Sequence, residues 1–310
     1  MLSNLVKSHN QHLPSVLEDM GTNAEQLTKD VASLREWYSY QTHLPQSIGD
    51  SVLASFIVGS KNSMEIAKMK LDMFYSLRRG VPDIYNHCDP TSNQLVKSYK
   101  TVYTITLPTL TSDGSSVSIL KLRNPDPAMY NPLDPVKRLN MIYELMLHQT
   151  TLTSKSYLIY DYEQVTNAHV TQLNPLVVKT HLDTLKFLPI RLKGVIAINC
   201  PKYAERTYNL MRNFMSKKLQ DRIFIYAEGA SVLAKHISVN VLPKDYGGQG
   251  AYTLDELNDY WQDVLIDNRE WFMNENEHNS NESKRPADSK YKADEDTYGV
   301  EGSFKKLEID

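Results

Sequence analysis

Cysteine is scarce in this chain. Cys88 and Cys200 are the only two, far apart and outside any metal-ligand spacing. That excludes a disulfide scaffold and a thiolate metal site, and leaves a pair of reduced, partly buried thiols. Long apolar runs are absent as well. The opening MLSNLVKSHNQHLP offers no signal-peptide core, and no later segment approaches a membrane span. A soluble, cytoplasmic protein is therefore expected, and the sequon Asn281-Glu282-Ser283 is expected to be silent. An excess of one charge sign is missing too: the formal net charge is -3, which gives no global pull toward nucleic acid, so any basic site must be local.

Catalytic signatures are also lacking. There is no GxxxxGK[ST], GxSxG, HExxH or CxxC. Gly247-Gly248-Gln249-Gly250 looks like part of a dinucleotide fingerprint, but it follows Pro243 and leads into another loop rather than a helix. A structural turn is the better reading. His169 and His181 are twelve apart and read as helix-surface or satisfied core residues, with a metal or acid/base role as the alternative. Asp161 follows a strand pattern with no base or nucleophile beside it, so a cap or hydrogen-bond role is expected. The expectation is no enzyme, no metal and no cofactor.

What is present is the make-up of a globular protein, with 41% hydrophobic and 23% charged residues over 310 positions, enough for one large domain or two modest ones. The first eighty residues read as helices. Thr22 and Glu25 form a capping-box pattern before Leu27, Val31, Leu34 and Tyr38. Asp50 opens a short helix through Val52, Leu53, Phe56 and Ile57 that ends at Gly59. Ser63 caps a third with Ile66, Met73, Phe74 and Leu77 on one face, and Gly80 and Pro82 stop it. Their apolar faces call for a helical bundle packed on something larger.

Near Lys100 the period changes. Residues 103–107 and 117–122 are β-rich, with Ser112-Asp113-Gly114-Ser115 between them as a hairpin turn. In NPDPAMYNPLDP, Asp134 and Pro135 suit the cap and first position of a helix through Val136, Leu139, Tyr143, Met146 and Leu147. Residues 157–160 form a strand, and Asn174 and Pro175 start a helix with Val178, His181, Leu182 and Leu185. The centre of the chain follows. Residues 192–199 suit a buried strand, Pro201 opens a helical pattern running to Leu219, and residues 222–227 return to a strand. Strand, helix, strand at this length is a crossover between parallel strands, so an α/β domain with a largely parallel sheet is expected. Thr253 and Glu256 cap a helix with Leu254, Leu257, Trp261 and Leu265. Beyond it, MNENEHNSNESKRPADSKYKADED is too polar to order itself, whereas Val300, Phe304, Leu307 and Ile309 leave the end two readings, docked back on the body or loose.

One group of charges rises above background. Strand alternation sets Arg191 and Lys193 on one face, and helical spacing does the same for Lys218 and Arg222. A crossover helix runs antiparallel to its strands, so its end returns toward their start and the four cations meet at one edge. Two readings stand level: an anion site for several phosphates, or a solvated rim that complements a helix dipole and is partly neutralised by Asp221.

The stretches FIVGSKNSMEIAKMKLDMFYSLRRGVPDIYNHCDP, LPIRLKGVIAINCP, KKLQDRI and LPKDYGGQG, in that order, resemble the CRAL-TRIO lipid-transfer family, in the branch of the α-tocopherol transfer protein and cellular retinaldehyde-binding protein. The resemblance covers most of residues 37–271, and YGVEGSFKKLEID looks like the tail of some members. It implies a helical N-terminal domain over 1–95, a lipid-binding α/β domain over 96–270, a flexible polar linker over 271–292 and a tail over 293–310. It also implies an apolar cavity floored by the sheet and gated by a mobile helix at about 201–219. Tyr208, Met211, Phe214 and Met215 are the gate residues expected to face the cavity, although plain core packing predicts the same stripe.

The family's phosphoinositide-binding cations fall on Arg191, Lys193, Lys218 and Arg222, which favours the headgroup reading of that group. The partners implied are a tocopherol-like or retinoid-like lipid and a phosphoinositide-containing membrane met peripherally, with the protein a monomer. Two departures from the family stand out. Lys202, Glu205, Arg206, Asn209, Arg212 and Asn213 make the gate unusually polar, and Tyr162-Glu163-Gln164 replaces a small residue after the strand. The functions in play are a lipid carrier, a phosphoinositide-sensing scaffold that transfers nothing, and an α/β enzyme without a recognisable motif.

Overall fold

The computed structural model describes residues 1–173, 175–212, 215–274, 278–287 and 289. Asn174, Phe214 and the tail over 293–310 lie outside the described residues, as do the side chains of Leu77, Val178 and Met211. Helices come first: α1 (Leu2–Asp19), α2 (Ala24–Ser39), α3 (Asp50–Gly59), α4 (Met64–Gly80), α5 (Pro82–Tyr85) and α6 (Asn93–Thr101). Strands β1 (Val102–Thr106) and β2 (Ser116–Leu122) form the hairpin, with Gly114 at φ 76° in its turn. Then follow α7 (Leu133–Gln149), β3 (Lys155–Asp161), α8 (Asn167–Val170), α9 (Pro175–Phe187), β4 (Arg191–Ile198), α10 (Lys202–Met211), α11 (Lys217–Gln220) and β5 (Ile223–Ile225). Helices α12 (Leu254–Asp267) and α13 (Arg269–Met273) close the regular structure.

The expected architecture is present: a helical N-terminal region followed by a five-stranded, mostly parallel sheet with helices. Its order is β1-β2-β3-β4-β5, antiparallel only between β1 and β2. A sheet that adds strands in one direction by right-handed crossovers carries every crossover helix on the same face. Accordingly α7, α9 and α10 share a face. On the other, Tyr246 donates a hydrogen bond to Asp161 and the His236 ring lies 4.4 Å from that of Phe224. The outer edge of β1 is capped by side chains. Arg138 donates to the Val102 carbonyl, Asn258 accepts from the Thr104 amide and Trp261 donates to the Thr106 carbonyl at 2.7 Å. An edge so occupied presents no template for another strand.

Several boundaries differ from the sequence reading, each for a local reason. Asn23, not Thr22, caps α2 by accepting from the Gln26 amide. Pro82 does not merely stop α4 but opens α5. Helix α7 begins at Leu133 because Asp134 is used elsewhere: its carboxylate accepts from Gln94 and Asn131. The single helix expected from Pro201 to Leu219 is divided, since the Ser216 hydroxyl accepts from the Leu219 amide and starts α11. The last strand is only Ile223–Ile225. Ile66, placed on the apolar face of α4, is 37% exposed.

Two segments make long-range contacts that periodicity and composition do not announce. Helix α1 packs on the sheet domain, where Ser8 accepts from the Leu110 amide and His9 from the Thr153 amide. Residues 278–287, read as part of a flexible linker, lie along α4. There Arg285 pairs with buried Asp72 at 2.9 Å and donates to Ser76, and the Asn281 amide bonds the His43 carbonyl. Composition predicts no order there because one buried ion pair, not apolar area, anchors the segment.

Burial pushes His9, His148 and His181 down to about 4, with His12 adding to the effect at His9 and His278 and Arg78 at His148. The unfolded chain takes up their protons near pH 6.5 and the folded chain only near 4, so stability is complete above that window and falls as pH drops through it. We expect Tm to fall by roughly several degrees between pH 7 and 4.5 in a thermal scan, with His9→Gln flattening part of the slope.

Candidate ligand cavity and basic edge

The crossover face encloses a hollow of about 230 Å³. Its floor is built by strand register. Leu120, Tyr160, Ala197 and Ile225 form one rung across β2 to β5, and Leu158, Val195 and Ile223 form the next. Leu192 also lines it, although it is three residues from Val195. The reason is a bulge: Ser156 pairs with Leu192 and Tyr157 with Gly194, so Lys193 is an extra residue that resets the alternation. Val177, Leu182 and Leu185 of α9 and Ala204 and Tyr208 of α10 supply the roof, with Met215 and Leu219 beyond it.

Of the four expected gate residues, Tyr208 and Met215 line the hollow. Met211 lies in α10 with its side chain undescribed, and Phe214 is outside the described residues. His169 and His181, read as surface or satisfied core, both stand in the cavity wall, together with Tyr130, Tyr160 and Tyr162. A signal for this was present in the strand, where Tyr160 and Tyr162 alternate around Asp161. Tyr160 and His181 are hydrogen-bonded to each other.

Asp161 behaves as expected of a hydrogen-bonding carboxylate. It accepts from Tyr246 at 2.9 Å, Asn199 at 2.7 Å and the Glu163 amide at 2.9 Å, and pairs with Lys121 at 3.0 Å. Lys121 also meets Glu163. Burial draws the Lys121 ammonium down, but Glu163 and Asp161 outweigh it and leave it raised. The one lysine on the cavity wall among the described residues is thus committed to two carboxylates.

Three of the four basic residues, Arg191, Lys193 and Arg222, lie about the start of β4. Arg191 donates to the Ser154 hydroxyl at 3.0 Å and Arg222 to the Leu192 carbonyl at 2.7 Å. Partial burial, and then the Arg222 charge, make the Arg191 guanidinium easier to deprotonate than usual, so these two are brought together. Lys193 is held by Asp113 of the hairpin turn and lies 5.5 Å over the Tyr157 ring. Burial pushes the Asp113 carboxyl up, but hydrogen bonds from Lys193, Thr111 and Ser115 prevail and leave it at about 2. Lys218 stands exposed on α11. Asp221 is engaged by Lys217 at 3.3 Å.

Comparison with known proteins agrees with this geometry. The family model for the CRAL/TRIO domain matches residues 100–248, and that for the Pinta-like UBA domain matches residues 23–95. Residues 100–248 are a CRAL/TRIO domain.

A CRAL/TRIO domain implies a hydrophobic ligand, and the hollow in this one is lined accordingly. Among curated proteins the chain is similar to the alpha-tocopherol transfer protein-like protein of Homo sapiens, 24% identical over 263 residues, which is 83% of this chain and 75% of that one. It is also similar to clavesin-2 of Rattus norvegicus, 22% identical over 242 residues, 76% of this chain and 74% of that one. The solved structure of Sfh5 is a looser likeness, with a TM-score of 0.44 and 10% identity over 78% of this chain and 96% of that one. No helix among the described residues is long and apolar enough to cross a membrane.

A packed core resents added volume by roughly 1–3 kcal/mol, whereas a hollow accepts it. Ala197 sits in the floor beside Tyr160 and Ile225. We expect Ala197→Phe to shift Tm by no more than a few degrees yet to abolish uptake of a fluorescent apolar probe, measured by calorimetry and titration on the same preparation.

Proposed function

We propose that the protein carries a small hydrophobic lipid, tocopherol-like or retinoid-like, between membranes. The observation that supports this best is the apolar hollow between sheet and crossover helices. Apolar surface left in water costs about 25 cal/mol per Å², so a cargo of this kind needs a closed space in transit. About 230 Å³ falls below the roughly 300–1,000 Å³ of drug-sized pockets, so a long guest requires the roof to give. The roof suits that role: α10 ends at Met211 and a capped break at Ser216 separates it from α11. Tyr208 and Met215, which line the hollow, belong to the moving wall.

Exchange then takes place at a membrane. Arg191, Lys193, Lys218 and Arg222 receive phosphoinositide headgroups, and the differential affinity of open and closed forms for that surface shifts the gate. Peripheral association as a monomer is sufficient. Asp113 competes for Lys193 and sets how much charge is available.

Mass spectrometry of lipid extracted from protein purified out of eukaryotic cells should find about one apolar molecule per chain. An empty protein that still binds phosphoinositide would point instead to a sensing scaffold, and turnover of a lipid to an enzyme. In flotation with vesicles containing phosphatidylinositol bisphosphate, Arg191→Glu with Lys193→Glu should lower binding roughly tenfold or more with the circular dichroism unchanged. Asp113→Asn should raise binding by releasing Lys193. Indifference of both variants would remove the basic edge from the model.

A further inference from the structure

One apolar face of α4 stands uncovered among the described residues. Helical geometry sets Ile66, Met69 and Met73 on a single stripe, at i, i+3 and i+7. Ile66 is 37% and Met69 39% exposed, and Met73 is half-buried. The core face of the same helix lies elsewhere, through Ala67, Leu71, Phe74 and Tyr75. A lone apolar side chain at a surface is ordinary, but a run of them along two turns of one helix is a face that fits a partner.

The chain itself passes beside this stripe. Arg285 pairs with Asp72 at 2.9 Å and donates to the Ser76 hydroxyl at 2.6 Å. Asp72 is three residues from Met69 and Ser76 three from Met73, so each anchor is the surface neighbour of a stripe methionine. The Thr42 hydroxyl donates to the Lys284 carbonyl at 2.8 Å, and Ser289 accepts from Arg285 at 3.3 Å. The backbone is thus delivered to the flank of the stripe at Ser289. Residues 290–310 follow, and within them come Val300, Phe304, Leu307 and Ile309. Val300 is eleven residues past Ser289, about 36 Å of extended chain, whereas the whole of α4 is about 25 Å long. The apolar part of the tail therefore reaches any point on the stripe.

The stripe is too small to hold a free partner. A stable interface between two molecules takes about 800 Å² from each, and three partly exposed side chains offer a fraction of that. A tethered segment needs far less, because linkage holds it at a high effective concentration. We infer that residues 300–309 dock on α4 of their own chain and cover Ile66, Met69 and Met73 with their apolar side chains. Arg285, fixed on the flank of the stripe, sets where the tail begins its approach.

The test uses the full chain. Benzoylphenylalanine in place of Phe304, irradiated at low protein concentration and followed by digestion and mass spectrometry, should cross-link to α4 in a species of monomer mass. Peroxide then reads the shielding. Because methionine oxidation follows exposure, Phe304→Asp with Leu307→Asp should speed oxidation of Met69 about fivefold or more. Met273, 47% exposed on α13, serves as the control and should keep its rate. Circular dichroism should not change, since both substitutions lie in the tail. No cross-link to α4, cross-links only at the mass of two chains, which mark a second copy, or a Met69 rate indifferent to the double variant would each overturn the inference.

Discussion

Monotonic strand order governs the molecule. Because β2 through β5 are laid down parallel and always on the same side of the growing sheet, each connection must return across one face. Three helices and their connections crowd that face, while on the other Tyr246 bonds Asp161 and His236 packs against Phe224. Straight helices laid over a twisted sheet do not meet it evenly along their length, and the gap is the hollow. Side chains then decide its character. The rung of Leu120, Tyr160, Ala197 and Ile225 carries a small residue at its centre and leaves space above it.

The helical region is fastened to this sheet by charge as much as by apolar contact. Arg78 of α4 meets Glu144 of α7 at 2.8 Å, both nearly buried, and the guanidinium lies 4.8 Å over Phe74 and 4.9 Å over Tyr85. Burial weakens the Arg78 charge, but Glu144 more than restores it and the proton is held more tightly than usual. Arg138 is the opposite case. It is fully buried, has no carboxylate partner among the described residues, and burial lowers it to about 9. What it gains is the Val102 carbonyl and the face of Tyr99 at 5.7 Å.

Periodicity carried much of the fold. The alternation in β2 and β3, the helical faces of α2 to α4 and the capping box at Thr253 were all legible, because each depends on neighbours a few residues away. The crossover around β4 was legible for the same reason. What could not be read was settled by distant partners: Asp134 recruited by Gln94, Arg285 drawn to Asp72, and α1 held by Leu110 and Thr153. The bulge at Lys193 was equally hidden, since one extra residue leaves no mark on composition yet decides that Leu192 and Val195 share a face. In the cavity, spacing found Tyr208 and Met215 but missed both histidines, whose surroundings come from three separate elements.

The fastening of β1 bears on how this architecture can be reused. Its outward carbonyls and amide are occupied partly by Asn258 and Trp261, and the loop before β3 leans on His9, all of which fall outside residues 100–248. The stretch that sequence likeness delimits is accordingly not a portable module. Excised at those limits it would present a bare strand margin to its neighbours, so shuffling this fold between proteins has to move the first and last helices along with it.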